Sequence, residues 1–561
     1  MGLSRVNFCG IADTGIRNYV RIKKDLSKAF PLREAIGIFS IMMTSLFLLT
    51  LILDISPFQS DESVYVYSAY AITKGVVPYR GIFLAHPPLM YLVYSVFIQI
   101  VGANFISLRL CNVVVYLFTI FLTYIIAKLL LEKHQSGGVF ALLSAALYAF
   151  YPSYFLFISA TSLLENLLTL FTLSSVVAYI QYHRIGKKTC LFFAGFFMSL
   201  ALLSSFRAIL FVISIILFIL LHDLWHRKYK SIFAQIGTIS FGMLFPVLTA
   251  VFLILYFQAL PQFYLQTFYY HTVLFPESMD TRLNNLYWYI NSMFPLVITG
   301  ILGALYLGRN AKKHDTPLLF LPLFLAGVFY STILYIFRNT FFHYFYYMNP
   351  YLVFLSVTCF LQIKSVLWKN DTFKVKIHPK FTLLTVFLAL LLLTGSQSFN
   401  YLLNETGPYF RRTTYNNLHL YLGNYIANIT NPDDKIWTSE GAIAFFAQRV
   451  IQAPNSSNWP FQALFSNPLG YSFGEYRGDE MKDYKEGFVT TDQFVSAWEI
   501  GKVKVLVFIL GTGWIPYPDE LLWNGFRGQE GVANYVQEKY ELRLMVTAPQ
   551  VSYVYYVWMR K

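Results

Sequence analysis

The chain has 561 residues, of which 56% are hydrophobic and only 13% are charged. Soluble proteins carry about a quarter charged residues, so this composition excludes an ordinary soluble enzyme, a disordered protein and a nucleic-acid binder with a charged surface. The formal net charge is +14, and aromatic residues make up 19% of the chain, which is typical of proteins that meet a bilayer interface. The four cysteines have no paired spacing and indicate neither a disulfide framework nor a metal site. The sequence predicts a polytopic α-helical membrane protein.

Apolar runs of about 20 residues, the length that crosses a hydrocarbon core, recur along the chain up to residue 399. The segment from Ser204 to Arg207 separates two of these runs only weakly, so residues 190–222 could also form one long kinked helix. We expect about 11 transmembrane helices, near residues 35–53, 106–130, 138–154, 163–181, 190–204, 206–222, 232–257, 286–307, 317–337, 342–363 and 381–399.

Lysine and arginine are concentrated on alternate loops, which predicts the orientation of the chain in the membrane. The basic loops contain Arg184, Lys187 and Lys188; Arg227, Lys228 and Lys230; and Arg309, Lys312 and Lys313. We therefore expect a cytoplasmic basic segment at residues 1–34, a transmembrane domain at 35–399 and an extracytoplasmic C-terminal domain at 400–561. The positive charge then indicates contact with an anionic inner leaflet and not with nucleic acid.

The first outer loop, residues 54–104, is long enough to have its own structure. Residues 62–74 predict a short Tyr-rich helix, with Ser60 or Asp61 as its N-cap and Gly75 as its end. Pro88–Val101 is apolar and is expected to lie along the membrane surface.

The C-terminal residues 400–561 have a soluble composition and predict a small α/β domain. Helices are expected near residues 414–428 and 492–500, and strands at Val503–Ile509 and Val551–Trp558.

The first outer loop resembles the signature of the GT-C membrane glycosyltransferases, in particular the protein O-mannosyltransferases and aminoarabinose transferases. The matching segments are Asp-Glu-Ser-Val-Tyr at 61–65, Val-Pro-Tyr-Arg-Gly at 77–81 and Ala-His-Pro-Pro-Leu-Met-Tyr-Leu at 85–92. The resemblance implies a GT-C-like fold. It also implies transfer of one sugar, with mannose as the first candidate, from a polyprenyl- or dolichyl-phosphate donor to an acceptor hydroxyl at the outer face.

The resemblance also implies roles for individual residues. Asp61 matches the acidic residue that acts as catalytic base or positions the acceptor, with Glu62 beside it. His86 lies where many relatives carry a lysine before the Pro-Pro pair. From the residues alone, a helix cap is the simpler explanation of Asp61, and His86 is also explained as part of a rigid turn with Pro87 and Pro88.

Sugar transfer from a phosphate requires a base for the acceptor proton and cations or donors for the developing phosphate charge. Ionisable residues near the outer helix ends are candidates for the second task, because polar groups at membrane depth are costly. These candidates for donor binding are His86, Arg109, Glu165, Arg207, Arg338 and His343. The structural alternatives are interfacial snorkelling for Arg109, a capping box with Ser162 for Glu165, helix termination for Arg207, and interfacial anchoring for Arg338 and His343.

The sequence thus favours a membrane glycosyltransferase whose partners are a lipid-linked sugar donor and a protein, lipid or glycan acceptor. No cofactor or metal is predicted, because no cluster of His, Asp and Glu has ligand spacing. The alternative is a polytopic lipid or solute transporter, which would have broken, polar spans around a site at the membrane midplane. The concentration of charge at the outer helix ends favours the enzyme.

Overall fold

The computed structural model describes residues 31–53, 60–131, 137–151, 159, 161–268, 279–309, 321, 325, 342–369, 418–438, 441–452, 491–511, 523–524, 531–548 and 553–561. The predicted span at 381–399, most of the predicted span at 317–337 and the predicted domain boundary near residue 400 lie outside these residues. Nearly all of the predicted basic segment at 1–34 does so as well.

The first part of the chain is a bundle of apolar helices. In chain order the helices are α1 (Leu32–Ile52), α2 (Ser60–Thr73), α3 (Leu89–Val101), α4 (Phe105–Leu131), α5 (Gly137–Phe150), α6 (Leu164–Ile185), α7 (Lys188–Ser204), α8 (Ala208–Trp225), α9 (Tyr229–Tyr256), α10 (Leu260–Tyr264), α11 (Met279–Ser292), α12 (Phe294–Arg309) and α13 (Asn349–Lys369). Of the helices in the described ranges, α1, α4, α6 and α9 are long and apolar enough to cross a membrane, while α3, α5, α7 and α8 are apolar but shorter. The helical membrane architecture agrees with the prediction, and the count of about 11 spans is met only in part.

Two helix breaks bear on the predicted spans, one near Met293 and one at Ser205. The span predicted at 286–307 is not one straight helix, because α11 and α12 meet there at an angle of 87°. Pro295 lies in the first turn of α12, the position where the N–H that proline lacks is not needed for an intrahelical hydrogen bond, and so it favours the start of a new helix there. Ser205 is extended, with φ −158° and ψ 134°, so α7 and α8 are separate helices and do not form one kinked helix.

Helices α7 and α9 approach each other closely at two glycines. A Cβ atom added to Gly195 would lie 2.0 Å from the carbonyl oxygen of Ile239, and one added to Gly242 would lie 2.0 Å from that of Phe192. Small residues permit such close backbone contact between membrane helices, where dispersion and not water exclusion stabilises the packing. Other faces of α9 expose large apolar side chains such as Phe233, which suits contact with lipid.

Helices α2 and α3 occupy the first loop, as the sequence predicts. Helix α2 ends just before Gly75, whose φ of +85° favours glycine. Its first turn already includes Ser60 and Asp61, so neither residue is the predicted N-cap that precedes the helix. The Ser95 hydroxyl of α3 lies between two carbonyl oxygens, 2.6 Å from that of Tyr91 and 3.1 Å from that of Ala69 in α2, so the two helices are in close contact there.

The C-terminal part contains a five-stranded mixed sheet with helices. The strands are β1 (Lys435–Thr438), β2 (Val450–Ile451), β3 (Val505–Gly511), β4 (Tyr540–Ala548) and β5 (Tyr553–Arg560), and the helices are α14 (418–429), α15 (Gly441–Ala447), α16 (Thr491–Ile500) and α17 (Ala533–Lys539). The strand order is β2-β1-β3-β5-β4, with β1 parallel to β2 and β3 and with β5 antiparallel to β3 and β4. Strands β3 and β5 and helices α14 and α16 correspond to the predicted elements, each within about four residues at its ends.

The glycine contact between α7 and α9 generates a prediction about stability. Gly242→Ala places a methyl group against the Phe192 carbonyl oxygen, so we expect a loss of about 1–3 kcal/mol in the free energy of unfolding. Gly237→Ala on the same helix is the matched control, because its Cβ would meet no heavy atom within 4 Å. Thermal unfolding of both variants in detergent tests the difference, and equal melting temperatures would show that the close approach is absent.

Candidate functional site

The ends of several helices bring six of the predicted site residues together. Asp61 and Glu62 lie in the first turn of α2, and His86 lies in the turn before α3. The remaining three follow on later helices: Arg109 near the start of α4, Glu165 in the first turn of α6 and Arg207 just before α8. Arg338 lies outside the described residues. His343 belongs to a 3-10 helix at Phe342–Met348, where only its backbone is described.

A fully buried ion pair joins Glu62 and Arg109. The guanidinium donates through Nε at 2.9 Å and Nη2 at 2.6 Å to the two carboxylate oxygens, and both side chains are 0% exposed. Nη1 of Arg109 donates to the Leu53 carbonyl oxygen at 2.6 Å. The Ser162 N–H donates to Oε1 of Glu62 at 2.8 Å. The pair therefore joins the end of α1, the start of α2, α4 and the segment that enters α6.

This placement differs from the predicted roles of both residues. Arg109 was predicted to bind the donor phosphate, but its three nitrogens are engaged by protein oxygens and it is buried away from solvent. The alternative of interfacial snorkelling is wrong for the same reason. Glu62 was predicted to support catalysis beside Asp61, and both of its carboxylate oxygens accept hydrogen bonds, from the Arg109 guanidinium and from a backbone N–H. The structure therefore gives both side chains a structural role, as a buried ion pair that joins four segments.

A second ion pair joins Glu165 and Arg207. Nη2 of Arg207 lies 2.9 Å from Oε1 of Glu165, and the two side chains are 7% and 1% exposed. The Arg207 guanidinium carbon lies 3.6 Å from the centre of the Tyr344 ring, a cation–π contact. Nε of Arg207 donates to the Ser205 hydroxyl at 3.2 Å. Among the described residues, Nη1 of Arg207 has no hydrogen-bond partner.

The structural alternatives for this second pair are not met. Helix α6 has Leu163 as its N-cap residue, without a side-chain cap hydrogen bond, so Glu165 does not form the capping box with Ser162. Arg207 is the N-cap residue of α8, where a cation is disfavoured by the positive end of the helix dipole. Helix termination therefore does not explain the choice of arginine, whereas the neighbouring carboxylate offsets the unfavourable charge.

Tyr65 is the common neighbour of the remaining site residues. Asp61, Glu165 and Tyr344 all act electrostatically on its phenol, which also neighbours Arg207. The rings of Tyr65 and His86 meet edge to face, with centres 5.7 Å apart. Asp61 is half-buried, whereas Tyr65 and His86 are buried. We call Asp61, Tyr65, His86, Tyr91, Glu165, Arg207 and Tyr344 the Tyr65 cluster.

The tyrosines of this cluster keep their protons. Burial raises the pKa of the Tyr65 phenol well above its usual value, and the negative charge of Asp61 adds to the shift. Burial also raises the pKa of Tyr91, whose ring centre lies 6.0 Å from that of Tyr65. Both phenols are therefore neutral at physiological pH and can donate hydrogen bonds, but they cannot act as bases. Asp61 is the half-buried carboxylate of the cluster.

Sequence reasoning missed Tyr65, Tyr91 and Tyr344. A signal for Tyr65 was present, because it follows Asp61 by four residues and so lies on the same face of a helix. The contribution of Tyr344 comes from a 3-10 helix far along the chain, and no local pattern indicates it. Within the described ranges, no group of three or more His, Cys, Asp and Glu residues is arranged to hold a metal ion.

Comparisons with known proteins agree with the resemblance seen in the first loop. Residues 85–249 match the family model of dolichyl-phosphate-mannose-protein mannosyltransferases. The fold is similar to that of ArnT from Cupriavidus metallidurans in the apo state, with a TM-score of 0.56 and 13% identity over 93% of this chain and 98% of that one. For the same protein bound to undecaprenyl phosphate the TM-score is 0.51, with 14% identity over 93% and 97%. No curated protein matches the sequence.

These matches confirm the resemblance to the GT-C membrane glycosyltransferase superfamily. Together with the apolar helices they identify the chain as an integral membrane protein. The segment matched by the family model contains His86, Arg109, Glu165 and Arg207, and it begins after Asp61.

The buried pair of Glu62 and Arg109 generates a prediction about folding. Glu62→Gln leaves the guanidinium buried without a counter-charge, so we expect the free energy of unfolding to fall by about 3–5 kcal/mol. Glu538→Gln is the matched control, because its ion pair with Lys539 is exposed and should contribute nothing measurable. Thermal unfolding in detergent compares the two variants. Equal stability of Glu62→Gln and Glu538→Gln would contradict the structural role, as would a double variant Glu62→Leu/Arg109→Met that is less stable than Glu62→Gln.

Proposed function

We propose that the protein is a GT-C membrane glycosyltransferase that moves a single sugar from a polyprenyl-phosphate donor to an acceptor hydroxyl. The Tyr65 cluster is the observation that carries this proposal. It combines a half-buried carboxylate, Asp61, with a buried cation, Arg207, that has a spare hydrogen-bond donor among the described residues. A base and a phosphate-binding cation are the two groups that the reaction requires.

Arg207 is proposed to bind the donor phosphate. Glu165 and Tyr344 hold the guanidinium in a fixed orientation, which leaves Nη1 available for a phosphate oxygen. The neutral Tyr65 phenol and His86 lie beside it and are proposed to donate further hydrogen bonds. Donors fixed in a buried site stabilise the charge that develops on the leaving phosphate without reorganising during the reaction. Arg338 and His343 remain proposed contributors from the segment around the 3-10 helix.

Asp61 is proposed to act as the base. Its carboxylate accepts the proton of the acceptor hydroxyl while the acceptor oxygen forms a bond to the anomeric carbon of the sugar. The bond between that carbon and the phosphate oxygen breaks, and the polyprenyl phosphate leaves with the electron pair. Direct attack from the face opposite the leaving phosphate inverts the anomeric configuration. A phosphate leaving group needs no strong general acid, which suits a site whose phenols stay neutral.

The donor is proposed to be a polyprenyl or dolichyl phosphate carrying mannose. The matched family model is that of dolichyl-phosphate-mannose-dependent enzymes, and the structurally similar ArnT binds undecaprenyl phosphate. The acceptor is proposed to be a hydroxyl of a protein, lipid or glycan of the cell envelope. The distribution of basic loops supports a multi-pass protein of the cell membrane with its N-terminus in the cytoplasm and with the Tyr65 cluster and the C-terminal sheet outside.

The role of Asp61 is tested by Asp61→Asn. Loss of the base should lower kcat by about 10²–10⁴-fold and leave donor binding unchanged. The exposed Asp492→Asn is the control and should retain full activity. The measurement follows radiolabelled polyprenyl-phosphate sugars, mannose first, as purified protein releases the sugar to water or to a mixed acceptor pool. Full activity of Asp61→Asn would contradict the proposed base and leave Asp61 with a structural role in the first turn of α2. No binding or turnover of any donor would favour the transporter.

The role of Arg207 is tested by Arg207→Lys. Lysine keeps a positive charge beside Glu165 but has a single nitrogen. It therefore cannot bind the carboxylate and a phosphate oxygen through two separate nitrogens, as the fork of arginine can. We expect the Kd for undecaprenyl phosphate to rise by about tenfold to a hundredfold, with thermal stability preserved. Arg309→Lys, an exposed substitution at the end of α12, should leave the Kd unchanged. Wild-type affinity in Arg207→Lys would place the phosphate elsewhere.

A further inference from the structure

The C-terminal sheet contacts helix α2 through a hydrogen bond between distant parts of the chain. The N–H of Ile451, in strand β2, donates to the Tyr67 hydroxyl at 2.7 Å. Strand β2 is an edge strand, and its neighbouring N–H, that of Gln452, donates to the Ile436 carbonyl oxygen of β1 at 2.8 Å. The Ile451 N–H points away from β1 because successive N–H groups of a strand alternate in direction. Tyr67 therefore satisfies a buried edge-strand donor.

Aromatic rings extend this contact to α15. Tyr70, one helical turn after Tyr67, meets Phe445 edge to face with ring centres 6.0 Å apart. Phe446 meets Phe105 at the start of α4 at 6.2 Å. Phe105 in turn lies 4.1 Å beneath the guanidinium carbon of Arg109, the partner of Glu62. The C-terminal domain thus packs directly against α2. It also contacts the ion pair of Glu62 and Arg109 indirectly, through the ring of Phe105.

The contact lies on the side of α2 away from the Tyr65 cluster. With 3.6 residues per turn, Asp61 and Tyr65 fall on one face, and Tyr67 and Tyr70 fall on the opposite side. Asp61 and Tyr67 are separated by about 9 Å along the helix axis. Because a short helix moves as a rigid body, a group that holds one side of α2 sets the position of the carboxylate on the other side.

We infer that Tyr67 is a positioning residue, through which the C-terminal domain holds α2 so that Asp61 faces the acceptor. The catalytic consequence rests on the proposed function, whereas the mechanical link between the domain and α2 does not. By packing against the side of α2 opposite Asp61, the C-terminal domain can fix the position of the base without contributing a group to the reaction. Displacement of a reacting group by about 1 Å can cost a hundredfold in rate, so a single hydroxyl at this contact suffices to affect turnover.

Tyr67→Phe tests the inference, because it removes only the hydroxyl. The matched control is Tyr540→Phe, which removes an equally buried hydroxyl that donates to the Val503 carbonyl oxygen at 3.0 Å inside the domain, remote from α2. Hydrogen exchange of peptides from residues 60–73 reports the link without any substrate. We expect these amides to exchange about threefold to tenfold faster in Tyr67→Phe and at the wild-type rate in Tyr540→Phe.

Kinetics then separate positioning from a general loss of structure. In Tyr67→Phe we expect kcat to fall by about tenfold and KM for the lipid-linked sugar donor to stay within a factor of two, because Arg207 is unaffected. Unchanged exchange of α2 in Tyr67→Phe overturns the inference, as does a rise in KM at constant kcat. Faster exchange in a protein whose wild type transfers no sugar from any donor would sustain the mechanical link and refute the proposed function. If Tyr67→Phe does not fold, Phe445→Leu perturbs the same contact from the domain side and has the same expected results.

Discussion

The buried ion pair of Glu62 and Arg109 is the interaction on which the rest of the site depends. Removing two charges from water is costly, and the cost is offset here by two direct hydrogen bonds between the partners and by backbone groups at Leu53 and Ser162. Four segments that are far apart in sequence therefore converge on one pair of side chains. The pair thus anchors the first turn of α2, the turn that carries Asp61, while Tyr67 holds the helix from its other side.

The two buried arginines of this region, Arg109 and Arg207, differ in how the protein engages them. One arginine, Arg109, has all three of its nitrogens hydrogen-bonded to protein oxygens and serves structure. The other, Arg207, is held by Glu165 and by the Tyr344 ring and retains an unengaged nitrogen among the described residues. Both are buried arginine–carboxylate pairs at helix ends, so burial and pairing alone do not distinguish them. They differ in the guanidinium nitrogens that the described residues engage, which are all three in Arg109 but do not include Nη1 in Arg207. This difference distinguishes a structural arginine from one suited to ligand binding.

Much of the fold could be predicted because it follows from local patterns. Apolar length predicted α1, α4, α6 and α9, and Gly75 correctly predicted the end of α2. The 87° bend before α12 was missed, since the apolar run continues across it and only Pro295 indicates a break. For the site, residue type and position near helix ends identified Arg109 and Arg207 alike, but their partners come from other helices. Glu62 was assigned to chemistry because its neighbour in sequence is Asp61, although a residue one step along a helix faces a different direction.

The hydroxyl of Tyr67 also changes how the sheet meets its surroundings. A sheet edge with free N–H groups is a template on which a strand of another chain can add. At the β2 edge the strand has only two residues, and the N–H of Ile451 is already bound by a side chain. An incoming strand would have to displace a buried tyrosine before it could accept the hydrogen bond of the Ile451 N–H. The same contact that joins the two parts of the chain thus protects this edge against association with unrelated strands, and a loss of the hydroxyl would make the protein more prone to self-association as well as less ordered.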